Sequence, residues 1–141
     1  MGYQYVSTYK EIYNSNHEII YSALTSRVYP NGSKRFYEGT KGNEHLVRIE
    51  NPIGYKNFYE GTKGNEHKVR AEDSNGGNKE FFEGTKGNEH MVRKELPNGI
   101  KYFYEGTKGN EHMVRFELPN GYKYFYEGTK GNEHKVRAED S

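Results

Sequence analysis

The chain has no cysteine, no tryptophan and only four prolines in 141 residues, and no apolar run approaches membrane-spanning length. Without Cys there is no disulfide framework and no thiolate chemistry, an absence compatible with any compartment. The N-terminus lacks the apolar core of a signal peptide. Met1-Gly2-Tyr3-Gln4-Tyr5-Val6 also misses the myristoylation pattern, because Val6 stands where Ser or Thr is needed. The one glycosylation sequon, Asn31-Gly32-Ser33, therefore reads as a turn, and the expected location is intracellular and soluble, cytoplasmic by default. A charge excess is missing too. Twenty-one Lys and Arg face twenty Asp and Glu, interleaved along the chain, for a net charge of +1. That balance argues against a nucleic-acid or membrane-surface footprint, both of which need a basic field.

Hydrophobic residues are scarce at 31%, too few for an ordinary packed domain, yet aromatic residues reach 15%, which disordered chains avoid. Fourteen Tyr and seven Phe among interleaved charges point to an ordered, thin structure with little two-sided core.

The aromatic residues recur in a phrase. FYEGTKGNEH stands at 36–45 and returns at 58–67, 103–112 and 125–134, with Phe82 replacing Tyr in the copy at 81–90. Its histidines, His45, His67, His90, His112 and His134, are separated by 22, 23, 22 and 22 residues, the longer step reflecting an extra Gly in SNGGNKEF. A period of this size marks an array of supersecondary units. One unit, HMVRKELPNGIKYFYEGTKGNE, holds two alternating runs separated by Pro97-Asn98-Gly99, with Gly99 suited to the left-handed position of a three-residue hairpin loop. Each unit reads as a β-hairpin joined to the next through the turn-like TKGNE. The expected fold is all-β: a single-layer antiparallel meander of about ten strands, elongated and twisted.

Register follows from the same pattern. If Leu96 faces Ile100, then Glu95 faces Lys101, Arg93 faces Phe103 and Val92 faces Tyr104. With Gly106 opposite His112, Lys101 faces Glu117, Phe103 faces Arg115 and Tyr104 faces Val114. One face would carry Glu–Lys and Arg–Phe rows, the other a Val–Tyr row, each cross-strand pair contributing about 0.2–1 kcal/mol. Residues 1–28 break the phrase and read as one to three capping strands ahead of the array at 29–141. At the far end HKVRAEDS repeats residues 67–74 and stops mid-unit, so an edge is open for Glu139 and Asp140 to blunt or for another copy to pair.

The segment FYEGTKGNEHMVRKELPNGIKYFYEG resembles the MORN repeat, with Tyr104, Gly106, Gly109, His112 and Gly121 on that family's Tyr-x-Gly, Gly, His and Gly-turn skeleton. The Tyr-x-Gly positions recur as Tyr37/Gly39, Tyr59/Gly61, Phe82/Gly84 and Tyr126/Gly128, and the likeness covers residues 29–141. The loop between Tyr and His is about two residues shorter than usual in that family. The phrasing is also similar to repetitive proteins of large DNA viruses and protists. The resemblance implies a single-layered sheet of hairpins serving as a scaffold, with structural Tyr and Gly and no common catalytic residue.

Candidate chemistry is thin. Equivalent histidines lie two strands apart, about 9.6 Å, while zinc ligands sit about 2 Å from the ion; the reading is structural His and no metal. Gly-Thr-Lys-Gly-Asn lacks the Gly-Lys-Ser/Thr ending and following helix of a phosphate cradle. The Arg48, Arg70, Arg93, Arg115 and Arg137 row has Glu and Phe neighbours and reads as a ladder. No nucleophile–base–orienter set stands out, so no enzyme and no cofactor are expected.

Variation between copies is more telling. On the Tyr-bearing face the positions near the hairpin turns are Ile49, Asn51, Tyr55 and Asn57 in the second repeat, and Ala71, Asp73, Asn78 and Glu80 in the third. In the last two they become Lys94, Leu96, Ile100, Tyr102 and then Phe116, Leu118, Tyr122, Tyr124. An apolar and aromatic end on a one-layer sheet marks an interaction surface. The expected partner-binding residues are Leu96, Ile100, Tyr102, Phe116, Leu118, Tyr122 and Tyr124. They point to a non-enzymatic scaffold for a protein partner or homo-oligomer. The alternative is a carbohydrate-binding array using exposed rings.

Overall fold

A computed structural model of the chain describes residues 5–75 and 77–140, with the side chains of residues 12 and 19–22 outside the description. The extra glycine of the third hairpin, Gly76, falls outside it as well. The described residues form twelve antiparallel strands in one open sheet, in sequence order throughout. The strands are β1 (Val6–Tyr13), β2 (Ile19–Val28), β3 (Lys34–Glu38), β4 (His45–Glu50), β5 (Lys56–Glu60) and β6 (His67–Glu72). The second half comprises β7 (Lys79–Glu83), β8 (His90–Glu95), β9 (Lys101–Glu105), β10 (His112–Glu117), β11 (Lys123–Glu127) and β12 (His134–Glu139). The all-β meander of hairpins is thus as the repeat implies, with two strands supplied by the stretch before residue 29.

The sheet has almost no interior. Among the described residues only Ala23 and Leu24 are buried hydrophobics, at 5% and 8% exposure. The accessible surface is 9404 Å² for 16.4 kDa, whereas a compact protein of that mass exposes about 7,500 Å². Stability has to come from neighbour-to-neighbour pairing, as in other one-dimensional arrays.

Hairpin turns follow the turn chemistry of Pro-Asn-Gly. Leu96 N–H donates to Ile100 O at 2.9 Å and Gly99 N–H to Leu96 O at 3.0 Å, with Gly99 at φ +91°, the left-handed residue that closes a three-residue loop. The Asn98 side chain accepts from Ile100 N–H at 3.1 Å, pinning the turn. The β1–β2 turn uses the same bonds, Asn14 N–H to Glu18 O and His17 N–H to Asn14 O, with His17 taking the left-handed position at φ +63°.

The charge rows and the Arg–Phe row appear in the expected register: Glu95 opposite Lys101, Arg93 opposite Phe103, Arg115 opposite Phe103 and Glu117 opposite Lys101. Each Arg, however, stacks on one ring only, that of the preceding strand: Arg48 on Phe36, Arg70 on Phe58, Arg93 on Phe81, Arg115 on Phe103 and Arg137 on Phe125, at 3.9–4.1 Å from the centroid. The same guanidinium turns along its own strand to a Glu, as in Arg48–Glu50 at 2.8 Å and Arg115–Glu117 at 2.7 Å. Close ion pairs among the described residues therefore run along strands, although Lys and Glu face each other across them.

The Val–Tyr row is corrected by the structure. A β-bulge interrupts each pair closed by TKGNE, so Tyr104 faces Met113, not Val114, and Glu105, not Gly106, faces His112. The extra residue is absorbed before Arg115, which is why the register beyond it holds. The bulge thus takes Val out of register with Tyr, and Val47 and Val69 line a depression with Phe58, Tyr59, Arg70 and Phe81. Tyr37, Tyr59 and Tyr104 are half-buried, and burial pushes their phenol pKa values up.

Candidate functional site

The bulge leads to the device that couples repeats. In the first four copies of the phrase, the residue opposite the Tyr (Phe82 in the third) turns its N–H to the Glu of the next repeat's loop. Leu46 N–H donates to Glu66 Oε2 at 3.0 Å, Lys68 to Glu89 at 3.1 Å, Met91 to Glu111 at 3.3 Å and Met113 to Glu133 at 3.4 Å. The other carboxylate oxygen closes its own loop, as Glu66 Oε1 does by accepting from Gly64 N–H at 2.8 Å. Backbone N–H donors hold all five carboxyl groups below the usual carboxylate range: chiefly Leu24 and Leu46 for Glu44 and Glu66, and chiefly the residue's own N–H, with the preceding repeat's donor adding to it, for Glu89, Glu111 and Glu133. A second link runs beside the first. Lys63, Lys86, Lys108 and Lys130 Nζ each donate to the carbonyl of the preceding loop's Gly, Gly42, Gly64, Gly87 and Gly109, at 2.9–3.0 Å.

The Thr-Lys-Gly-Asn-Glu loop thus ties one repeat to the next along a rim of the sheet. The clamp extends to the N-terminal strands, where Leu24 N–H donates to Glu44 Oε2 at 3.0 Å. Sequence reasoning missed this role because it read TKGNE only as a turn between hairpins. The available signal was that Lys and Glu stay invariant in a loop, where an ordinary turn needs only its Gly and Asn. The His rings pack against the loop: His90 Nδ1 lies 3.2 Å from where a Cβ on Gly84 would be and 3.4 Å from Asn88 O. Among the described residues no group of three metal-ligating side chains converges.

The opposite rim is where repeats differ. Across it runs one register row, with Arg27 opposite Arg35, Arg35 opposite Ile49, then Asn57, Ala71, Glu80, Lys94, Tyr102, Phe116, Tyr124 and Ala138. Its N-terminal end is cationic and aromatic: Arg27 lies 4.7 Å from the Tyr5 ring and Arg35 5.4 Å from that of Tyr29. Its middle is polar and hollow, because Ala71 leaves a depression of about 400 Å³ bordered by Asn51, Tyr55, Asn57, Glu80 and Lys94. Its C-terminal end is the expected cluster.

There the structure brings three of the seven named residues together. Tyr102 lies against Phe116 with centroids 5.1 Å apart, and Phe116 against Tyr124 at 5.8 Å, a ladder of tilted rings over three strands. Lys135 Nζ adds a cation 5.1 Å from the Tyr124 ring. Leu96 with Ile100, and Leu118 with Tyr122, form the residue pairs that close the two adjacent hairpin turns. Tyr122 is 39% exposed and the other six are half-buried, with no second layer over them among the described residues.

No protein-family model matches the chain, and a search of curated proteins finds no match.

Proposed function

We propose that the protein is a non-enzymatic repeat scaffold that binds a protein partner or a second copy of itself through the aromatic end of its variable face. The observation that supports this reading is the Tyr102–Phe116–Tyr124 ladder on a sheet with no covering layer among the described residues. Rings and aliphatic side chains concentrated at one end of a face are the composition of an interface core. The repeat geometry, a single-layered sheet of hairpins, accords with the MORN-like reading of the phrase, and a scaffold is what that resemblance implies.

The test is light scattering on a size-exclusion column across a concentration series, with Leu118, Tyr122 and Tyr124 all changed to Ser in a second sample. Concentration-dependent association that disappears in the triple variant, with circular dichroism unchanged, is the expected result. Association unaffected by the triple change would reject this site.

A second reading rests on the depression over Ala71. Its amides and carboxylate, beside the Tyr55 ring, are suited to sugar hydroxyls and ring stacking. Glycan titration followed by Tyr fluorescence, repeated with Asn57→Ala, tests it; a response that the variant does not alter would place glycan binding elsewhere.

A further inference from the structure

The five arginines of the repeat row each stand two residues before a glutamate and pair with it, at 2.7–3.7 Å. Arg27 and Arg35 depart from that rule. The same offset brings Tyr29 and Tyr37, and neither arginine makes an ion pair with any described residue. The two also stand directly opposite each other on β2 and β3, a like-charge pairing that destabilises a sheet. Ring faces offset part of that cost: Arg27 lies 4.7 Å from the Tyr5 ring and 5.8 Å from that of Tyr37, and Arg35 lies 5.4 Å from that of Tyr29. A ring cancels no charge, so this end of the variable face keeps two cations without a carboxylate, in a chain whose net charge is +1.

Beside them is a hollow of about 340 Å³ lined by Tyr5, Tyr29, Asn31, Ser33, Arg35 and Ile49. No carboxylate lines it, whereas the depression over Ala71 has Glu72, Asp73 and Glu80. Its polar lining is built to donate. Asn31 Oδ1 is occupied by Ser33 N–H at 2.9 Å, which leaves the amide NH2 of Asn31 as the group to offer. The Ser33 hydroxyl and the Arg35 guanidinium have no acceptor among the described residues. The remaining wall is apolar, two phenol rings 5.4 Å apart and Ile49. Arg27, over the Tyr5 ring, adds a second positive charge without lining the hollow.

We propose that this hollow binds a small soluble phosphate monoester carried on a flat apolar body, an aryl phosphate in type. The phosphate accepts from Arg35, Ser33 and Asn31, and Arg27 balances its second negative charge. The flat body lies against Tyr5, Tyr29 and Ile49. A phosphate held in a membrane fits less well, because the interleaved carboxylates leave no wider basic field to hold a lipid surface. The site is at the end of the variable face opposite the Tyr102–Phe116–Tyr124 ladder and is independent of it.

The test is titration of the isotopically labelled 141-residue chain, read by amide chemical shifts at about pH 7.5, where a phosphate monoester is dianionic. Phenyl phosphate should give saturable shifts at Asn31, Ser33 and Arg35. It should bind at least about tenfold tighter than benzoate and about threefold tighter than inorganic phosphate. Arg35→Gln should weaken binding about tenfold and Ser33→Ala about threefold, while Arg93→Gln, at an arginine already paired with Glu95, should leave it unchanged. Absence of saturable shifts at the hollow overturns the proposal. So do benzoate binding equally tight, full affinity in Arg35→Gln, or shifts that appear only with phosphatidylcholine vesicles containing phosphatidic acid.

Discussion

The two rims of this sheet are built on opposite rules. Along the TKGNE rim every repeat is the same, and each loop reaches back to its predecessor with one carboxylate and one ammonium group. Along the hairpin rim the turns share only their geometry, and the row beside them passes from Arg through Asn, Ala and Glu to Tyr and Phe. The difference teaches which residues hold the array together. With only Ala23 and Leu24 buried among the described hydrophobic residues, the sheet has little core to supply cooperativity, so the coupling is repeated at every step. The opposite rim is then free to vary without unzipping its neighbours.

The sharpest way to break that comparison is to alter one loop. Gly106 sits at φ +113°, and a Cβ there would stand 2.5 Å from Asn110 O. Gly106→Ala should cost about 2–3 kcal/mol, read as a lowered urea midpoint, with larger loss of amide protection in β9 and β10 than in β3 and β4. The triple Ser variant on the other rim should leave that midpoint much closer to wild type, since its side chains take part in none of the hydrogen bonds between loops and preceding repeats, Tyr124 meeting the next repeat only through the Lys135 ammonium over its ring.

A milder alteration removes charge from the clamp. Glu66→Gln keeps an acceptor for Leu46 N–H but loses the ionic part, about 1 kcal/mol after allowance for solvent screening. The five clamp carboxylates have pKa values below their ordinary value when folded, so their contribution is present in full above the unfolded carboxylate range. It fades as pH falls through the depressed folded values. Stability should therefore drop on acidification through that range, and the drop should be smaller in Glu66→Gln; an identical pH profile would argue against the clamp. The smallest effect belongs to Lys63→Ala, which deletes an exposed bond to Gly42 O and should cost about 0.3–0.5 kcal/mol by the same measurement.

Much of this was legible in the chain. Alternating Val, Arg, Phe and Tyr with Pro-Asn-Gly turns specified hairpins, their order and the Arg–Phe and Glu–Lys registers, because strand periodicity and turn chemistry are local. The aromatic end was legible as well: Tyr102, Phe116 and Tyr124 share a face by alternation alone, and the structure adds only that the rings touch. The bulge was not legible. Whether the loop before His112 closes on Gly106 or Glu105 depends on how Asn110 O approaches Gly106, and no residue pattern states that distance. Residues 19–28 also hid their kinship to the repeat, because Leu24 occupies the clamp position without the surrounding phrase.

By itself, then, the sequence determined the period, the strand and turn content, the small size of any core and the location of the variable positions. All of these follow from side chains within a few residues of one another. Only the tertiary structure decided that Val loses its place opposite Tyr, that each Arg of the row chooses the earlier Phe, and that Glu and Lys of one loop bind the backbone of the repeat before. These are contacts between residues about twenty apart in sequence. They depend on the exact closure of a six-residue loop between Glu105 and His112, which identical copies then reproduce down the sheet.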